Sequence, residues 1–348
     1  MLASCAVNTP SSLRPGLYSA ATGLPHYATE RISSEQVNAT LLQPHGVPTP
    51  NPATFPDYDA VKYMPSLKLC RDTFRVPNLS KVNGVLGPGV VVFSLTGLAI
   101  DEAEITNLDW RLFVADVFPA DSSSADALAT ILPDAKALPV TDYYTSPFYA
   151  CYPVVGISYQ QAKLFCAWRS QVVNEELARS HDKRLAGVSC EYRLPTEAEW
   201  EEAAGGHSGQ PYGTTCTQLP VRVAEGAAAY LQKRAAVSVP VSQIKADITA
   251  YNQQHPTRSW INYAQTEPYF LRLATPGYVW QGPPNDFGLY QMLGNVAEMV
   301  QEPGITKGGS YRGDLAACCI KARGNFTGPS PTVGFRAVCV MHRAVSVK

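Results

Sequence analysis

The stretch from Asn285 to Val338 constrains the fold of this chain more than any other part of it. Glycines and a few polar residues recur there in an otherwise apolar sequence. In chain order they are Gly288, Gly294, Glu298, Gly308-Gly309-Ser310-Tyr311 and Gly334-Phe335-Arg336. Glycine adopts left-handed backbone conformations without strain and lets two backbones approach closely. The stretch therefore predicts tight turns and a high loop content rather than a helical bundle.

Helices are predicted further upstream, where a hydroxyl residue is followed three positions later by an acid or amide. That arrangement is a capping box, in which each side chain accepts a hydrogen bond from the other residue's backbone N–H. The three pairs are Thr106 with Asp109, Ser158 with Gln161, and Thr196 with Glu199. Apolar residues at helical spacing follow each pair. Capping also accounts for Glu197 and Glu199 as helix-end and surface ion-pair residues, without a role as general acids.

The composition divides the chain into an arm and a domain. Residues 1–85 are rich in Pro, Ser, Thr and Asn and show neither helical nor strand periodicity, which predicts an extended N-terminal arm. Such an arm either wraps its own domain or a neighbouring subunit, or is a poorly ordered leader. Residues 86–348 form the predicted domain, with insertions at about 118–148 and 216–260. Within the second insertion the string VSVPVS is strand-like.

Several classes of function are excluded by composition. The formal net charge is −1 with 16% charged residues and no basic patch, so no nucleic-acid partner is expected. No run of about 18 apolar residues occurs, so nothing is predicted to span a membrane. The nine cysteines contain no C-x-x-C pair, which argues against a zinc ribbon or a thioredoxin-type site.

Three separated strings carry a resemblance to a known family. They are Pro153–Ser158, Arg193–Trp200 and Asn285–Val338, and they occur in the family's order. Together they resemble the formylglycine-generating-enzyme family, also called the sulfatase-modifying-factor domain. The resemblance implies an α+β fold, specifically a variant of the C-type lectin fold with many loops.

The resemblance also implies where catalytic chemistry would lie. Active members oxidise a cysteine in a sulfatase and hold copper(I) between two thiolates spaced C-x-x-x-x-C after the GGS-aromatic motif, since soft sulfur ligands suit a cuprous ion. Counted from Gly308, the first thiol position is Gly313 and the second is Cys318. Along a strand, Cys319 would point to the opposite face and could not replace the missing thiol. We therefore expect a vestigial Cys318, no copper and no enzyme activity.

Calcium is the one cofactor that the resemblance implies here. The family places oxygen ligands beneath the lectin loop, as a hard cation requires. The matching positions are Gln291, Gly294 (carbonyl), Val296 (carbonyl) and Glu298, with a weaker second site at Asn262 and the Tyr263 carbonyl. The alternative is that Glu298 is buried against an arginine or backbone amides in a core that has lost its metal.

A contact surface is expected where the family's substrate groove opens. Tyr311, Arg312 and Asp314 alternate polar and aromatic character there, which suits binding of a protein or peptide. Arg336 and Arg323 are instead expected to form internal ion pairs.

The N-terminus and several strings favour a cell-envelope location. Leu2-Ala3-Ser4-Cys5 has the small-residue pattern that precedes the lipidated cysteine of bacterial lipoproteins, although the usual charged and apolar leader is not in this sequence. The strings EITN-x-x-W and YPVVGIS look most like the non-catalytic gliding-motility (type IX secretion) lipoproteins of the family.

That likeness implies an outer-membrane lipoprotein, periplasmic or surface-exposed, or an extracellular protein. It further implies a structural subunit that assembles with itself or with secretion machinery through the arm, and whose only membrane contact is a lipid on Cys5. Two alternatives stay open. One is a divergent copper-dependent formylglycine-generating oxidase, and the other is a ligand- or receptor-binding display protein on a C-type lectin fold.

Overall fold

The computed structural model of the protein describes Val90–Val92 and most of residues 98–343. The residues left out of that second range are 102, 119–124, 147–148, 150–151, 180–185, 206–207, 214–218, 221–222, 224, 236, 256, 266, 273, 278, 280–284, 286 and 288. The predicted N-terminal arm (1–85), with Cys5, lies outside the described residues.

Six α-helices occur in the described part of the chain. They are α1 (Asn107–Val117), α2 (Ala125–Ala129), α3 (Tyr159–Arg179), α4 (Glu197–Ala203), α5 (Ala228–Arg234) and α6 (Val241–Gln254). The predicted capping boxes are confirmed at the starts of α1, α3 and α4. Helix α3 is the longest of them, with 21 residues. None of these helices combines the length and apolar character needed to cross a bilayer.

The strands are short, and most of them belong to two four-stranded sheets. They are β1 (Val90–Val92), β2 (Ala99–Asp101), β3 (Val188–Arg193), β4 (Leu219–Pro220), β5 (Thr257–Arg258), β6 (Ala297–Met299), β7 (Ile305–Lys307), β8 (Gly324–Asn325), β9 (Val333–Gly334) and β10 (Val338–Arg343). Sheet I has the order β1-β2-β10-β3 and is antiparallel. Sheet II has the order β8-β7-β6-β9, in which β6 and β9 run parallel, and β4 pairs with β5 alone.

Sheet I is covered on both faces, so its side chains alternate between two apolar cores. Cys190 and Tyr192 of β3, with Cys339 of β10, face the core beneath α1 and α3. Ile100 of β2 and Val338 of β10 face the opposite core, which lies against α4 and the loop before β6. The segment from 285 to 338 thus packs on one face of a sheet whose other face carries the long helices.

The helical core is rich in aromatic rings. Trp110 of α1 stacks on Phe165 of α3 with ring centroids 5.5 Å apart, and Phe335 meets both rings edge-on. Aromatic pairs of this geometry add about 0.5–1.5 kcal/mol to the free energy of burying their area. Phe335 belongs to the Gly334-Phe335-Arg336 string, so that motif anchors the last strand of sheet I to the helices.

The two predicted insertions differ in structure. Residues 118–148 contain α2, but Tyr143 is fully buried and donates a hydrogen bond to the carbonyl of Pro153 at 2.7 Å, so the end of this segment is part of the core. The insertion at 216–260 contains α5 and α6, which pack on each other and on Phe270 in a separate small core. The string VSVPVS is not a strand, because Pro240 is followed at once by the first turn of α6.

Candidate functional site

The candidate site is built on the turn formed by Gly308 and Gly309. Both have left-handed backbone conformations, with φ of 87° and 69°. A Cβ atom on Gly309 would lie 2.7 Å from the Cys318 Sγ and 2.8 Å from the Ala317 carbonyl, which no real side chain tolerates. Glycine is therefore required here so that the segment carrying Cys318 can pack directly on the turn.

Cys318 lies at the base of this site with its thiol enclosed by protein. It is fully buried and its Sγ donates a weak hydrogen bond to the Asp314 carbonyl at 3.6 Å. Burial raises the pKa of Cys318 to about 12, and the nearby Asp314 carboxylate acts in the same direction. The group is therefore a thiol at neutral pH, whereas a metal-binding or nucleophilic cysteine has to be a thiolate.

Gly313, the position of the family's first thiol, has room for a side chain. A Cβ atom there would lie 3.5 Å from the Ser310 carbonyl and 3.6 Å from its Oγ, which are ordinary van der Waals distances. Its φ is outside the left-handed region. Nothing in the backbone requires glycine at this position, so the missing thiol is a change of side chain and not a change of fold.

The argument that placed Cys319 on a strand is wrong. Residues Ala316–Cys318 form a single 3₁₀ turn, which is stabilised by a hydrogen bond from the Ala317 N–H to Asp314 Oδ1 at 2.8 Å. Cys319 follows that turn in an extended conformation and is half-buried. The two adjacent cysteines therefore have different environments, one enclosed and one reaching the surface.

The predicted contact surface is only partly exposed. Tyr311 is buried, and its backbone N–H donates to the Asn295 carbonyl at 2.8 Å, so the prediction that its ring is exposed is wrong. Arg312 and Asp314 are exposed. The Arg312 guanidinium carbon lies 5.1 Å from the centre of the Tyr311 ring, so Tyr311 supports a surface residue instead of forming the surface itself.

Glu298 is fully buried in β6, and its carboxylate is already bound by protein donors. The Arg336 Nε and Nη2 donate to its two oxygens at 2.8 and 2.7 Å, and Trp200 Nε1 donates at 2.7 Å. Arg336 is fully buried as well. A guanidinium thus occupies the place where a cation would neutralise Glu298, so this carboxylate does not fit the predicted calcium site.

The other residues of the predicted calcium set shape the turn before β6. Gly294 has φ of 80°, and a Cβ there would lie 2.5 Å from the Asn262 carbonyl, so close backbone contact explains this glycine. Gln291 is buried and left-handed, with φ of 50°. Val296 packs against Tyr143 in a small apolar cluster. Within the described residues, no group of three or more Asp, Glu, His or Cys side chains is arranged to hold a metal ion.

Asn295 organises the site, although it was not among the predicted site residues. Its Oδ1 accepts hydrogen bonds from Asn262 Nδ2 at 2.9 Å and from the Gly277 N–H at 2.6 Å. Its Nδ2 donates to Glu104 Oε1 at 2.9 Å. Asn262 thus binds a neighbouring amide in place of a metal, while Tyr263 is half-buried against the apolar core. The available signal was local, because asparagine after glycine tolerates the left-handed conformation (φ 59°) found here.

Glu104 makes this network electrostatically unusual. Its carboxyl is buried, and burial raises its pKa to about 8, with Arg336 opposing that shift and Glu298 adding to it. The group is therefore mainly protonated at neutral pH.

The sequence comparison identifies the domain. Residues 88–341 match the profile of the sulfatase-modifying factor enzyme 1-like domain, which covers most of the chain. The chain belongs to this family. Its fold is the family's α+β variant of the C-type lectin fold, as predicted. A comparison with curated proteins found no match.

Solved structures also share features with this chain. Treponema denticola variable protein 1 is 20% identical over 70% of this chain and 84% of its own, with a TM-score of 0.38. PvdO from Pseudomonas aeruginosa is 18% identical over 70% and 80%, with a TM-score of 0.39. CarF is 18% identical over 75% and 88%, with a TM-score of 0.40.

The copper chemistry of active family members does not fit the residues present at this position. Gly313, at the first of the family's two thiol positions, has no sulfur, and Cys318, at the second, is a buried and protonated thiol. A cuprous ion held by two thiolates therefore lacks one ligand and would have to deprotonate the other against its burial.

Proposed function

We propose that this protein is a non-catalytic member of the family, a structural subunit of the bacterial cell envelope that assembles with its own copies or with secretion and gliding machinery. The observation that carries the proposal is that Gly313 has no thiol, while Cys318 is buried and protonated. Family membership without the copper pair favours use of the fold as a scaffold.

The surface beside the lost thiol supports a role in protein contact. Arg312 is held over the Tyr311 ring, and its Nη2 lies 3.5 Å from the Ala274 carbonyl. Asp314 is held by its bond to the Ala317 N–H. Because both exposed charges are already ordered, a partner that binds them loses less side-chain entropy than it would with mobile charges. We propose this surface as one contact site of the subunit.

The N-terminal arm is proposed as the second contact. Residues 1–85 contain recurring aromatic residues that can act as anchors for an extended segment, and Cys5 is the proposed lipid attachment point at the outer membrane. The string likeness to gliding-motility lipoproteins supports this arrangement.

The catalytic part of the proposal is tested by restoring the missing sulfur. Purified wild-type protein and the variants Gly313→Cys and Gly313→Ala are loaded with copper(I) and offered a cysteine-containing sulfatase peptide and oxygen. We expect no bound copper and no formylglycine with wild type or Gly313→Ala, and one tightly bound cuprous ion in Gly313→Cys. Turnover by wild type that is lost in Cys318→Ala would overturn the proposal and establish the divergent oxidase.

The assembly part is tested separately by native mass measurement. The full chain is expected to form a defined oligomer, and the chain lacking residues 1–85 is expected to be smaller in subunit number. Equal subunit numbers for the two proteins would remove the arm from the proposal, and a monomeric full chain that also stays monomeric with envelope extracts would remove the assembly role.

A further inference from the structure

Two buried cysteines meet in sheet I, in the core beneath the helices and not in the core that contains Cys318. Cys190 lies in β3 and Cys339 in β10, and both are almost completely buried thiols. The register pairs Cys190 with Met341 and Cys339 with Tyr192, so the two cysteines are diagonal neighbours on one face of adjacent antiparallel strands. Their side chains are hydrogen bonded to each other.

From this placement we propose that Cys190 and Cys339 are a disulfide-forming pair that joins the edge strand of sheet I to its inner strand. Among the described strands β3 pairs with β10 alone, and its outer edge is bonded to side chains of α3 through Asn174 and Ser170, whereas β10 has a strand on both sides. Diagonal neighbours in a sheet have Cα atoms about 7–8 Å apart, slightly beyond the usual span of a disulfide. The edge strand is held on its outer side by two side chains instead of by a second strand, so it is the element that can shift to close that difference.

The surroundings favour Cys190 as the attacking sulfur. The hydrogen bond from Cys339 lowers the pKa of Cys190 despite its burial, and the nearby Arg169 guanidinium acts in the same direction. The same hydrogen bond, together with burial, raises the pKa of Cys339. Arg169 is fixed beside them, because it forms a 2.9 Å ion pair with Asp101 and its guanidinium lies 4.3 Å from the centre of the Tyr192 ring.

The oxidant is a low-molecular-weight disulfide such as oxidised glutathione, which reaches the sulfurs when β3 opens or while the chain folds. The Cys190 thiolate attacks one glutathione sulfur, which forms a mixed disulfide and releases the other glutathione as a thiolate. The Cys339 sulfur then attacks the Cys190 sulfur, forms the protein disulfide and releases the second glutathione. The two protons of the protein thiols pass to the two glutathione thiolates, and two electrons pass from the protein to the oxidant.

Cys166 provides a matched control within the same core. It lies in α3, is as deeply buried as Cys190, and also lies near Arg169. Burial raises its pKa to about 12, so it lacks the thiolate character of Cys190. If oxidation were nonspecific or depended on burial alone, Cys166 should be oxidised to the same degree as Cys190.

The experiment compares full-length wild type with Cys190→Ala, Cys339→Ala and Cys166→Ala. Each protein is purified reduced, then refolded or incubated with a glutathione redox buffer, alkylated after denaturation and mapped by mass spectrometry. We expect a linked Cys190–Cys339 peptide in wild type and in Cys166→Ala. Cys339→Ala should carry glutathione on Cys190 and no link, and Cys190→Ala should give neither.

Thermal melting gives a second readout. Oxidised wild type should melt at a higher temperature than reduced wild type, because a bridge across a long loop restricts the unfolded chain. The shift should disappear on adding reductant and in both pair variants. Full alkylation of Cys190 and Cys339 in wild type after oxidative refolding, or links that use other cysteines instead, would overturn the proposal.

Discussion

The buried ion pair of Glu298 and Arg336 gives the strongest stability prediction. Glu298→Gln removes the negative charge while Arg336, fully buried, keeps its positive charge. Removal of one partner of a buried pair costs about 3–5 kcal/mol. Arg336 retains hydrogen bonds to the carbonyls of Asp101 at 3.0 Å and Tyr290 at 2.8 Å, which places the expected loss near the lower end, at about 3 kcal/mol.

A double-mutant cycle separates the interaction between Glu298 and Arg336 from the other effects of each substitution. Urea unfolding is followed for wild type, Glu298→Gln, Arg336→Gln and the double variant. The double variant should lose about 1–3 kcal/mol less than the sum of the single losses, since the second change removes the charge that the first left unpaired. Arg312→Gln, at an exposed arginine, is the control and should change stability by no more than about 0.5 kcal/mol.

The same proteins also test the assignment of Glu298. If Arg336 neutralises this carboxylate, calcium and a chelator should leave the melting temperature of wild type unchanged. Additive losses in the cycle would refute the coupling. A melting temperature that rises with calcium in wild type but not in Glu298→Gln would refute the whole argument and return Glu298 to the role of a metal ligand.

Further predictions concern the turn before β6 and the loss of stability at acid pH. Gly294→Ala should destabilise the protein by more than about 2 kcal/mol, because it adds left-handed strain and a 2.5 Å contact with Asn262. Gly209→Ala, at φ 67° with nothing within 4 Å of the added Cβ, should cost only about 1 kcal/mol. Chemical denaturation compares the two variants, and equal losses would contradict the steric argument. Hydrogen bonds from Arg323, with those from Lys307, lower the pKa of Glu197 to about 2 in the folded protein. The stabilisation that ionised Glu197 provides is therefore complete above its unfolded pKa near 4.5 and is lost as pH falls towards 2. The melting temperature of Glu197→Gln should consequently depend less on pH over that interval than that of wild type. Parallel plots of melting temperature against pH for the two proteins would contradict this.

The parts of the fold that the sequence predicted correctly depend on local contacts. A capping box joins residues three positions apart, so Thr106 with Asp109 and Thr196 with Glu199 can be recognised from the chain alone.

The errors arise where distant segments decide the conformation. Tyr311 was expected on the surface because it lies where the family's substrate groove opens, but it is buried and its backbone N–H donates to the Asn295 carbonyl. The contact between Asn295 and Glu104 joins residues 191 positions apart, and no spacing rule predicts such a pair. The 3₁₀ turn before Cys319 is stabilised by a hydrogen bond that the Asp314 carboxylate accepts from the Ala317 N–H, and strand periodicity does not reveal such a contact.

The position of β10 between β2 and β3 has a consequence for biosynthesis. The Ala337 N–H, just before β10, bonds to the Asp101 carboxylate, 236 positions earlier in the chain. Sheet I therefore cannot close until that strand has left the ribosome, and until then the backbone edges of β2 and β3 that pair with β10 lack their partner. Folding that depends on such distant pairing is slow and exposed to aggregation. Nascent chains of this protein should consequently depend on holding chaperones until β10 emerges.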